Sequence, residues 1–335
     1  MKTQRWRPPT RILPATRQAI PVLGQGCAGI GNLYAPVSDT DAAGTLNAAW
    51  AGGVRFFDTA PYYGHGLSEQ RLGRFLRSDP RRGVIVSSKV GRSLRPALGP
   101  LSPDTGFVDA APFEPYFDYG YDATMRQVEA SLERLGRTRL DIAFVHDLGA
   151  LTHGAAHAER FAEALGGAFR ALAHLKREGV VGAVGVGVNE VAVCLETLEQ
   201  VALDVILLAG RHTLLDQSAA AELLPLCLTR GVGVIVGGPY NSGVLAGGAH
   251  YDYAVVPAEV AARARRLEAV CAAHAVALPA AALQFPLRHP AVVSVIPGAR
   301  TAAEAEANLD HCRHPPPDAL WQDLEAQGLI APGSA

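Results

Sequence analysis

Short apolar runs rich in β-branched residues alternate with amphipathic stretches along almost the whole chain. Most of these runs are continuous, which is typical of parallel strands that are buried on both faces. Eight strands are predicted: Val22–Leu23, Val54–Phe57, Val84–Ser88, Ile142–Val145, Val181–Val186, Val205–Leu208, Val232–Val236 and Val292–Ile296. Eight helical stretches separate or follow them: Asp39–Ala51, Leu67–Arg77, Ala123–Leu135, Ala158–Glu178, Glu190–Gln200, Asp216–Thr229, Ala258–His274 and Ala302–Leu309. This rhythm, with no linker in mid-chain, favours an α/β fold of the (β/α)8 TIM-barrel type over a doubly wound sheet.

The length of 335 residues fits one barrel domain over residues 1–335. We expect its core at about residues 13–310, followed by a short C-terminal tail at 314–335. One segment, residues 91–121, is rich in proline, glycine and aromatic residues. A loop of this length in a compact domain is usually functional or mobile. Because it follows the third predicted strand, it would overhang the mouth of the barrel.

Charge and composition exclude several classes of partner. The net charge is −2 and no long basic run occurs, which argues against nucleic-acid binding. No apolar run reaches the roughly 18–20 residues that a membrane span needs, and the basic N-terminus lacks the apolar centre of a secretory signal. Five scattered cysteines without a C-x-x-C pair predict reduced thiols in the cytoplasm. The expectation is a cytoplasmic protein without a nucleic-acid or membrane partner.

Four polar residues stand near the carboxyl ends of predicted strands, where a barrel would gather them in one mouth. Asp58 follows a strand and Tyr63 lies in the loop behind it, while Lys89 and His146 follow two further strands. An ammonium near a phenol lowers its pKa from the usual value of about 10. Asp58 would hold Lys89, and His146 would orient a substrate oxygen. The set predicts a proton donor or acceptor beside a carbonyl or alcohol. Because no side chain supplies hydride, it also implies a nicotinamide cofactor.

Taken singly, each of these residues has an ordinary structural interpretation. Asp58 could cap a helix, Tyr63 could serve only in packing, and Lys89 could be a solvated residue at a strand end. The functional interpretation gains weight because the residues occur together.

Several stretches together resemble the aldo-keto reductase superfamily from about Leu13 to Leu309. They are DTAPYYGHGLSEQRLG, the strand ending in SSKVG, DIAFVHD, GVGVN and IPGAR. The resemblance implies a (β/α)8 barrel and a catalytic tetrad of Asp58, Tyr63, Lys89 and His146, with Tyr63 as the acid or base. It also implies a small-molecule substrate, a sugar or an aldehyde, and a monomer or weak oligomer. The stretches FDYGYDATMRQVEASLERLGRTRLDIAFVHDL and LLAGRHTLLDQ are similar to one branch, which holds L-fucose and D-threo-aldose 1-dehydrogenases and a pyridoxal dehydrogenase.

That branch implies oxidation of the anomeric carbon of an aldose, of the L-fucose or D-threo-aldose type, to a lactone. Three alternatives stay open. The chain could be an NADPH-dependent reductase of aldehydes or ketones, a pyridoxal 4-dehydrogenase, or a cofactor-binding regulatory subunit with little turnover.

The resemblance also implies which residues surround the cofactor. We expect Asn189 to hold the carboxamide, and Arg300 and Glu304 to lie near the adenosine ribose. An arginine pairs well with a 2′-phosphate, whereas a carboxylate repels it and can accept from a ribose hydroxyl. The pair gives a slight preference for NAD over NADP. The full set is Gly26, Cys27, Ala28, Asp58, Asn189, Pro239, Tyr240, Ser242, Gly243, Gly298, Ala299, Arg300, Glu304 and Asn308.

Three other patterns have a structural interpretation as well as a functional one. The run GQGCAG at 24–29 matches G-x-G-x-x-G, but a poor helix start follows it, so a tight turn beside a cofactor is favoured over a dinucleotide-binding turn. The run HCRH at 311–314 has no second ligand cluster, and no metal site is expected. His65 and His212 lie near the predicted mouth, where either could contact substrate or be structural.

Overall fold

Eight parallel strands of the computed structural model pair in chain order and form one sheet that is nearly closed into a barrel. The structure describes residues 6–78, 83–252 and 254–332, so residues 1–5 of the basic N-terminal segment and residues 333–335 of the predicted tail lie outside the described residues. The strands are β1 Gln25–Gly26, β2 Phe56–Asp58, β3 Ile85–Val90, β4 Leu140–His146, β5 Val181–Val188, β6 Val205–Ala209, β7 Gly233–Gly237 and β8 Val292–Ile296. The predicted TIM barrel is therefore confirmed.

Helices follow the strands around the barrel. Their bounds are Asp39–Ala51, Leu67–Arg77, Tyr121–Leu135, Ala150–His153, His157–Gly166, Ala168–Arg177, Val191–Gln200, Leu223–Arg230, Ala258–Ala273, Leu278–Gln284, Ala302–Arg313 and Asp318–Ala326. Three short antiparallel hairpins add to the barrel: Thr10–Ile12 with Ala19–Pro21, Arg92–Pro96 with Phe113–Phe117, and His250–Tyr251 with Ala254–Val255. Within the described ranges no single helix is long and apolar enough to cross a membrane, and one pair, Ala258–Ala273 with Leu278–Arg288, reaches the length only across a 99° bend.

The side chains of each strand divide between two cores because successive residues of a strand point to opposite faces. Phe56, Ile142 and Phe144 belong to the cluster inside the barrel. Their neighbours Phe57 and Ala143 belong to the larger cluster between the strands and the helices. Burial on both faces explains why the strands are apolar without alternation.

The barrel closes along a seam between β1 and β8. The strand pairs themselves stop short of closure, but single bridges join Leu23 to Val295 and Gly26 to Gly298. Three backbone hydrogen bonds of 2.9 Å cross the seam, donated by Gly24, Gly26 and Val295. The predicted first strand, Val22–Leu23, is thus displaced: the residues paired with β2 are Gln25 and Gly26.

Two predicted helices start or break differently from the sequence pattern. The stretch Ala158–Glu178 was expected as one helix, but it is divided at Gly167, whose φ and ψ are −113° and −84°. A Cβ atom at Gly167 would lie 2.3 Å from the carbonyl oxygen of Tyr119, so the chain bends where that backbone passes. The stretch predicted from Asp216 forms turns first, and its helix begins only at Leu223.

The predicted loop at 91–121 contains regular structure. Its hairpin pairs Arg92 with Phe117 and Pro96 with Phe113, and a 3-10 turn occupies Pro103–Thr105. The hairpin follows β3 at its carboxyl end, as the sequence order requires. Phe107 of this segment forms a bridge with Leu33, which ties the segment to the loop after β1.

Candidate active site

The side chains of Asp58, Lys89 and His146 enter the mouth of the barrel because each has the same strand parity as a residue of the interior core. The three pairs are Phe56 with Asp58, Ile85 with Lys89, and Phe144 with His146. All three polar residues lie within neighbouring strands β2, β3 and β4, and Tyr63 lies in the loop after β2. The structure therefore brings the four predicted residues to one place from three strands.

Lys89 and Asp58 form a buried ion pair at the floor of the mouth. The Lys89 Nζ donates to Asp58 Oδ2 at 2.7 Å and to the Thr59 carbonyl at 2.8 Å. The second carboxylate oxygen accepts from Ser87 Oγ at 2.6 Å. Gly187 of β5 faces the lysine, where a Cβ would lie 3.6 Å from Lys89 Cε. Both carboxylate oxygens of Asp58 and two of the three N–H groups of Lys89 are thus hydrogen-bonded within a closely enclosed space.

Tyr63 lies directly over this pair and is partly exposed to the cavity. The Nζ of Lys89 is 4.7 Å from the centre of its ring. Burial raises the pKa of the Tyr63 phenol well above 10, and the nearby Asp58 carboxylate raises it further. The expected lowering by Lys89 is therefore wrong for the free protein, because Asp58 neutralises the ammonium at contact distance. Tyr63 keeps its proton and is poised as a donor.

His146 is a neutral imidazole. Burial lowers its pKa to about 3, and the charges of Lys89 and Arg92 act in the same direction. Its ring lies edge-on to Tyr63, with 6.1 Å between the ring centres. A neutral ring carries one N–H, so His146 can donate a single hydrogen bond to an oxygen beside Tyr63.

Aromatic side chains and one ion pair complete the wall of the mouth. Phe107 packs against both Tyr62 and Tyr63, with ring centres 5.2 and 6.0 Å apart. The guanidinium of Arg92 lies 3.8 Å from the ring centre of Tyr62 and pairs with Asp147 at 2.6 Å. This apolar surface excludes water from the reacting atoms and strengthens the charges inside.

A cleft of about 670 Å³ opens from Asp58 and Tyr63 across the seam of the barrel. Twelve predicted cofactor residues line it: Gly26, Ala28, Asp58, Pro239, Tyr240, Ser242, Gly243, Gly298, Ala299, Arg300, Glu304 and Asn308. Two of these positions favour glycine. Gly243 has a φ of +108°, and a Cβ atom at Gly26 would lie 3.1 Å from the Ile296 carbonyl oxygen. The volume is that of a site for a small molecule or cofactor.

The polar groups that line the cleft fit a dinucleotide. Asn241 lines the cleft, and its buried Oδ1 has no hydrogen-bond partner in the described part of the chain. Tyr240 donates to Asn308 Oδ1 at 2.7 Å, which fixes both side chains at the cleft wall. Arg300 also lines the cleft and places a positive charge there. The cleft thus offers glycines that let a ligand approach the backbone, the unpaired Asn241 Oδ1 acceptor and one guanidinium.

Arg300 and Glu304 are hydrogen-bonded to each other. Glu304 Oε2 accepts from the Arg300 backbone N–H at 2.7 Å, and Oε1 lies 3.4 Å from the guanidinium. The carboxylate therefore offsets the charge that a 2′-phosphate would use.

Four predicted or considered residues lie elsewhere. The Cys27 side chain is buried away from the described cleft lining, and its backbone N–H bonds to the Asp58 carbonyl. Asn189 is also outside that lining, and its carbonyl accepts from Arg211 at 2.7 Å. His65 is buried beside Phe107.

His212 is fully buried against Phe285, and burial lowers its pKa to about 4. Its side chain is fully buried and is not part of the described cleft lining. The run at 24–29 leads into a 3-10 turn, Gly29–Gly31, and not into the helix that a dinucleotide-binding turn needs. Among the described residues no cluster of histidine, cysteine or carboxylate side chains could hold a metal ion.

Sequence reasoning missed several residues of the site. Asp147 adjoins His146 in the sequence, but its partner Arg92 follows a different strand. Tyr34 and His250 stack at 4.7 Å with parallel rings, and both line the cleft. These two come from loops after β1 and β7, and no local signal connects them. The adjacency of Asp147 to His146 was the one available clue.

Comparisons with known proteins agree with this geometry. The family model described as "Aldo/keto reductase family" matches residues 22–327. The chain is 42% identical to a pyridoxal 4-dehydrogenase from Microbacterium luteolum, over 96% of this chain and 98% of that one. It is 38% identical to a D-threo-aldose 1-dehydrogenase from a Pseudomonas species, over 93% and 95%. Among solved structures, the holo form of aldo-keto reductase AKR11C1 from Bacillus halodurans superposes with a TM-score of 0.75, at 23% identity over 97% of both chains.

Proposed function

The chain belongs to the aldo/keto reductase family, and we propose that this NAD(P)-dependent oxidoreductase oxidises the anomeric carbon of an aldose to a lactone. One observation carries the proposal: Tyr63 lies over the Lys89–Asp58 pair and beside neutral His146, at the inner end of the cleft. The similarity to a D-threo-aldose 1-dehydrogenase supports the substrate class.

The residues present divide the chemistry between them. When bound, the nicotinamide supplies the hydride acceptor, or the donor in the reverse direction. His146 donates its N–H to the substrate oxygen and orients it. Tyr63 holds or moves the proton at its phenol oxygen. Lys89 and Asp58 fix the electrostatic field below the phenol, and Phe107 helps to exclude water.

Pyridoxal is the second candidate substrate. The 42% identity to a pyridoxal 4-dehydrogenase favours it. The aldehyde and the neighbouring hydroxymethyl group of pyridoxal can close into a cyclic hemiacetal, so its reacting carbon presents the same C–H and O–H as a sugar anomeric carbon. The arrangement of Tyr63 and His146 serves both substrates.

We propose a preference for NAD over NADP, because the Glu304 carboxylate already pairs with the Arg300 guanidinium that a 2′-phosphate would need. A reducing compartment such as the cytoplasm is also proposed, and the five free, buried cysteines support it. We propose a small-molecule substrate without a nucleic-acid or membrane partner.

The test is the initial rate of reduced-nicotinamide formation with L-fucose, D-arabinose and pyridoxal, each with NAD and with NADP. Hydroxylamine trapping of the product identifies a lactone. NAD-dependent lactone formation from an aldose is the expected result. Lactone formation from pyridoxal alone selects the second candidate. Turnover only in the direction of aldehyde reduction would make the chain a carbonyl reductase, and cofactor binding without turnover would make it a regulatory protein.

A further inference from the structure

A carboxylate lies beside Nε2 of the His146 imidazole. Asp147 Oδ2 accepts from Arg92 at two points, Nε at 3.0 Å and Nη2 at 2.6 Å. The same oxygen is 3.5 Å from His146 Nε2. This separation is too long for a strong hydrogen bond. The carboxylate therefore acts on the ring nitrogen through its charge and leaves the N–H free for another acceptor.

The position of this carboxylate is fixed on the backbone side. Asp147 has a φ of +50°, a conformation that aspartate tolerates better than most residues. Its backbone N–H donates to the Gly187 carbonyl at 3.0 Å, which extends the pairing of β4 with β5 by one residue. The hydroxyl of Tyr119 lies 2.8 Å from the His146 carbonyl and 3.1 Å from the Asp147 carbonyl. The turn after β4 is thus fastened on two sides.

Arg92 fixes the same carboxylate on its side-chain face. The guanidinium lies between two aromatic rings, 3.8 Å from the centre of Tyr62 and 4.5 Å from the centre of Phe117. Arginine combines such stacking with a fork of N–H donors that lysine lacks. Burial by itself would raise the pKa of Asp147, but the neighbouring His146, Arg92 and Lys89 together outweigh it and the pKa is lowered. The carboxylate is charged at neutral pH.

The two nitrogens of the His146 ring therefore have different surroundings. Nε2 faces the Asp147 carboxylate, while Nδ1 is buried and has no hydrogen-bond partner in the described part of the chain. Nδ1 lacks a partner in either tautomer, so its burial does not select between them. A proton on Nδ1 would turn the Nε2 lone pair toward the negative charge of Asp147, and a proton on Nε2 avoids that repulsion. The groups that face the ring are Tyr62, Tyr63, Lys89, Arg92 and Asp147.

We propose that Asp147, anchored by Arg92, is a positioning residue that keeps the single proton of His146 on Nε2, where it can be donated to the substrate oxygen. The inference rests on the proposed function for the identity of that oxygen, but the location of the proton is a property of the free protein. It assigns to an ion pair outside the tetrad the selection of one of two imidazole tautomers.

The first test reads the tautomer without substrate. In protein labelled with ¹⁵N-histidine, at neutral pH, the two nitrogens of His146 differ in chemical shift according to which one carries hydrogen. The wild-type protein should show a protonated Nε2 and a bare Nδ1. In Asp147→Asn the oxygen that accepts from Arg92 is retained, but the negative charge beside Nε2 is lost, so the Nδ1–H population should grow. Asparagine also tolerates positive φ, so the variant is expected to fold.

The second test separates positioning from binding. In Asp147→Asn, kcat for the active substrate should fall by roughly ten- to a hundredfold, which is part of what a complete acid–base group contributes. The Kd for the cofactor should change less than about twofold, because Asp147 is outside the cleft lining. The primary deuterium isotope effect should rise, since the chemical step becomes slower relative to product release.

Asp141→Asn is the matched control. Asp141 lies in the same strand at the other end of the barrel, is buried, and accepts from the Val86 N–H at 2.9 Å. This variant should lose stability but keep the His146 tautomer and the wild-type kcat of the folded protein. Arg92→Gln is the second variant: it keeps the carboxylate but removes its anchor, and it should give a smaller shift in the same direction.

Two results would overturn the inference: an unchanged Nε2–H signal in Asp147→Asn, or a kcat within twofold of wild type. If Asp147→Asn does not fold, Arg92→Gln decides by the same two readouts. A tautomer that depends on Asp147, in a protein that oxidises neither aldoses nor pyridoxal, would contradict the proposed function and leave this inference intact.

Discussion

The buried pair of Lys89 and Asp58 makes the sharpest prediction about stability. We consider the substitution Lys89→Met, which keeps most of the side-chain volume and removes the charge. The two side chains are only 2% and 3% exposed. After the substitution, Asp58 keeps one hydrogen bond, from Ser87, and the Thr59 carbonyl loses its donor.

The cost follows from leaving one charge buried without its partner. Breaking such a pair on one side destabilises a protein by about 3–5 kcal/mol. Removing both charges in Asp58→Asn/Lys89→Met should recover at least half of that cost, because no unpaired ion remains. The free energy of unfolding should therefore be higher in the double variant than in Lys89→Met. A double-mutant cycle gives the coupling of the two side chains.

Lys176→Met is the matched control, since Lys176 pairs with Asp204 at 2.6 Å, close to the 2.7 Å of the active-site pair. Lys176 is 39% exposed and Asp204 is 10% exposed, so water reaches this pair more than the active-site pair and its loss should cost less than the loss of Lys89. Urea unfolding followed by both tryptophan fluorescence and circular dichroism measures the difference, provided that the two transitions coincide. Equal costs for Lys89→Met and Lys176→Met would refute the argument from burial.

Three further predictions concern the site and its supports. Oxidation needs the Tyr63 phenolate and the pKa of Tyr63 is raised, so kcat/KM for oxidation should rise about tenfold per pH unit below that pKa, while kcat/KM for reduction stays level. Tyr63→Phe should lower kcat/KM in both directions by at least about a hundredfold and remove the pH dependence of oxidation. Cofactor binding, measured by fluorescence titration, should be retained. Near-normal turnover of Tyr63→Phe would falsify its assignment as acid or base. Glu304→Gln should raise kcat/KM with NADP relative to NAD, as it frees the Arg300 charge, and an unchanged ratio would remove Glu304 from cofactor discrimination. Gly167→Ala should lower the thermal midpoint, since its Cβ would lie 2.3 Å from the Tyr119 carbonyl, whereas Gly166→Ala, with open space around it, should not; equal midpoints would contradict the close approach at Gly167.

The barrel could be predicted because its signal is local and repeated. A strand buried on both faces is apolar without alternation, and each of the eight is followed by an amphipathic stretch. The first strand was displaced because only two of its residues pair with β2, and no hydrophobic run marks them. The break at Gly167 could not be foreseen, since its cause is the backbone near Tyr119, far away in the sequence.

The tetrad could be predicted in composition but not in electrostatics. Strand ends and family resemblance identified Lys89 and Tyr63, and the fold brings them together. Whether the phenol gains or loses acidity depends on the distances to Asp58 and on burial, which no spacing encodes. In the same way, the pairing of Arg92 with Asp147 depends on the path of the hairpin after β3.

The seam between β1 and β8 gives the cleft a second consequence. Its lining comes from both sides of the seam, with Gly26 and Ala28 on one side and Gly298 and Ala299 on the other. A dinucleotide bound there would link the first strand to the last across a short stretch of pairing. By mass action, a cofactor at a hundred times its Kd adds about 2.7 kcal/mol to the folded state. We expect bound cofactor to slow the exchange of the Gly24, Gly26 and Val295 amides, whose hydrogen bonds cross the seam.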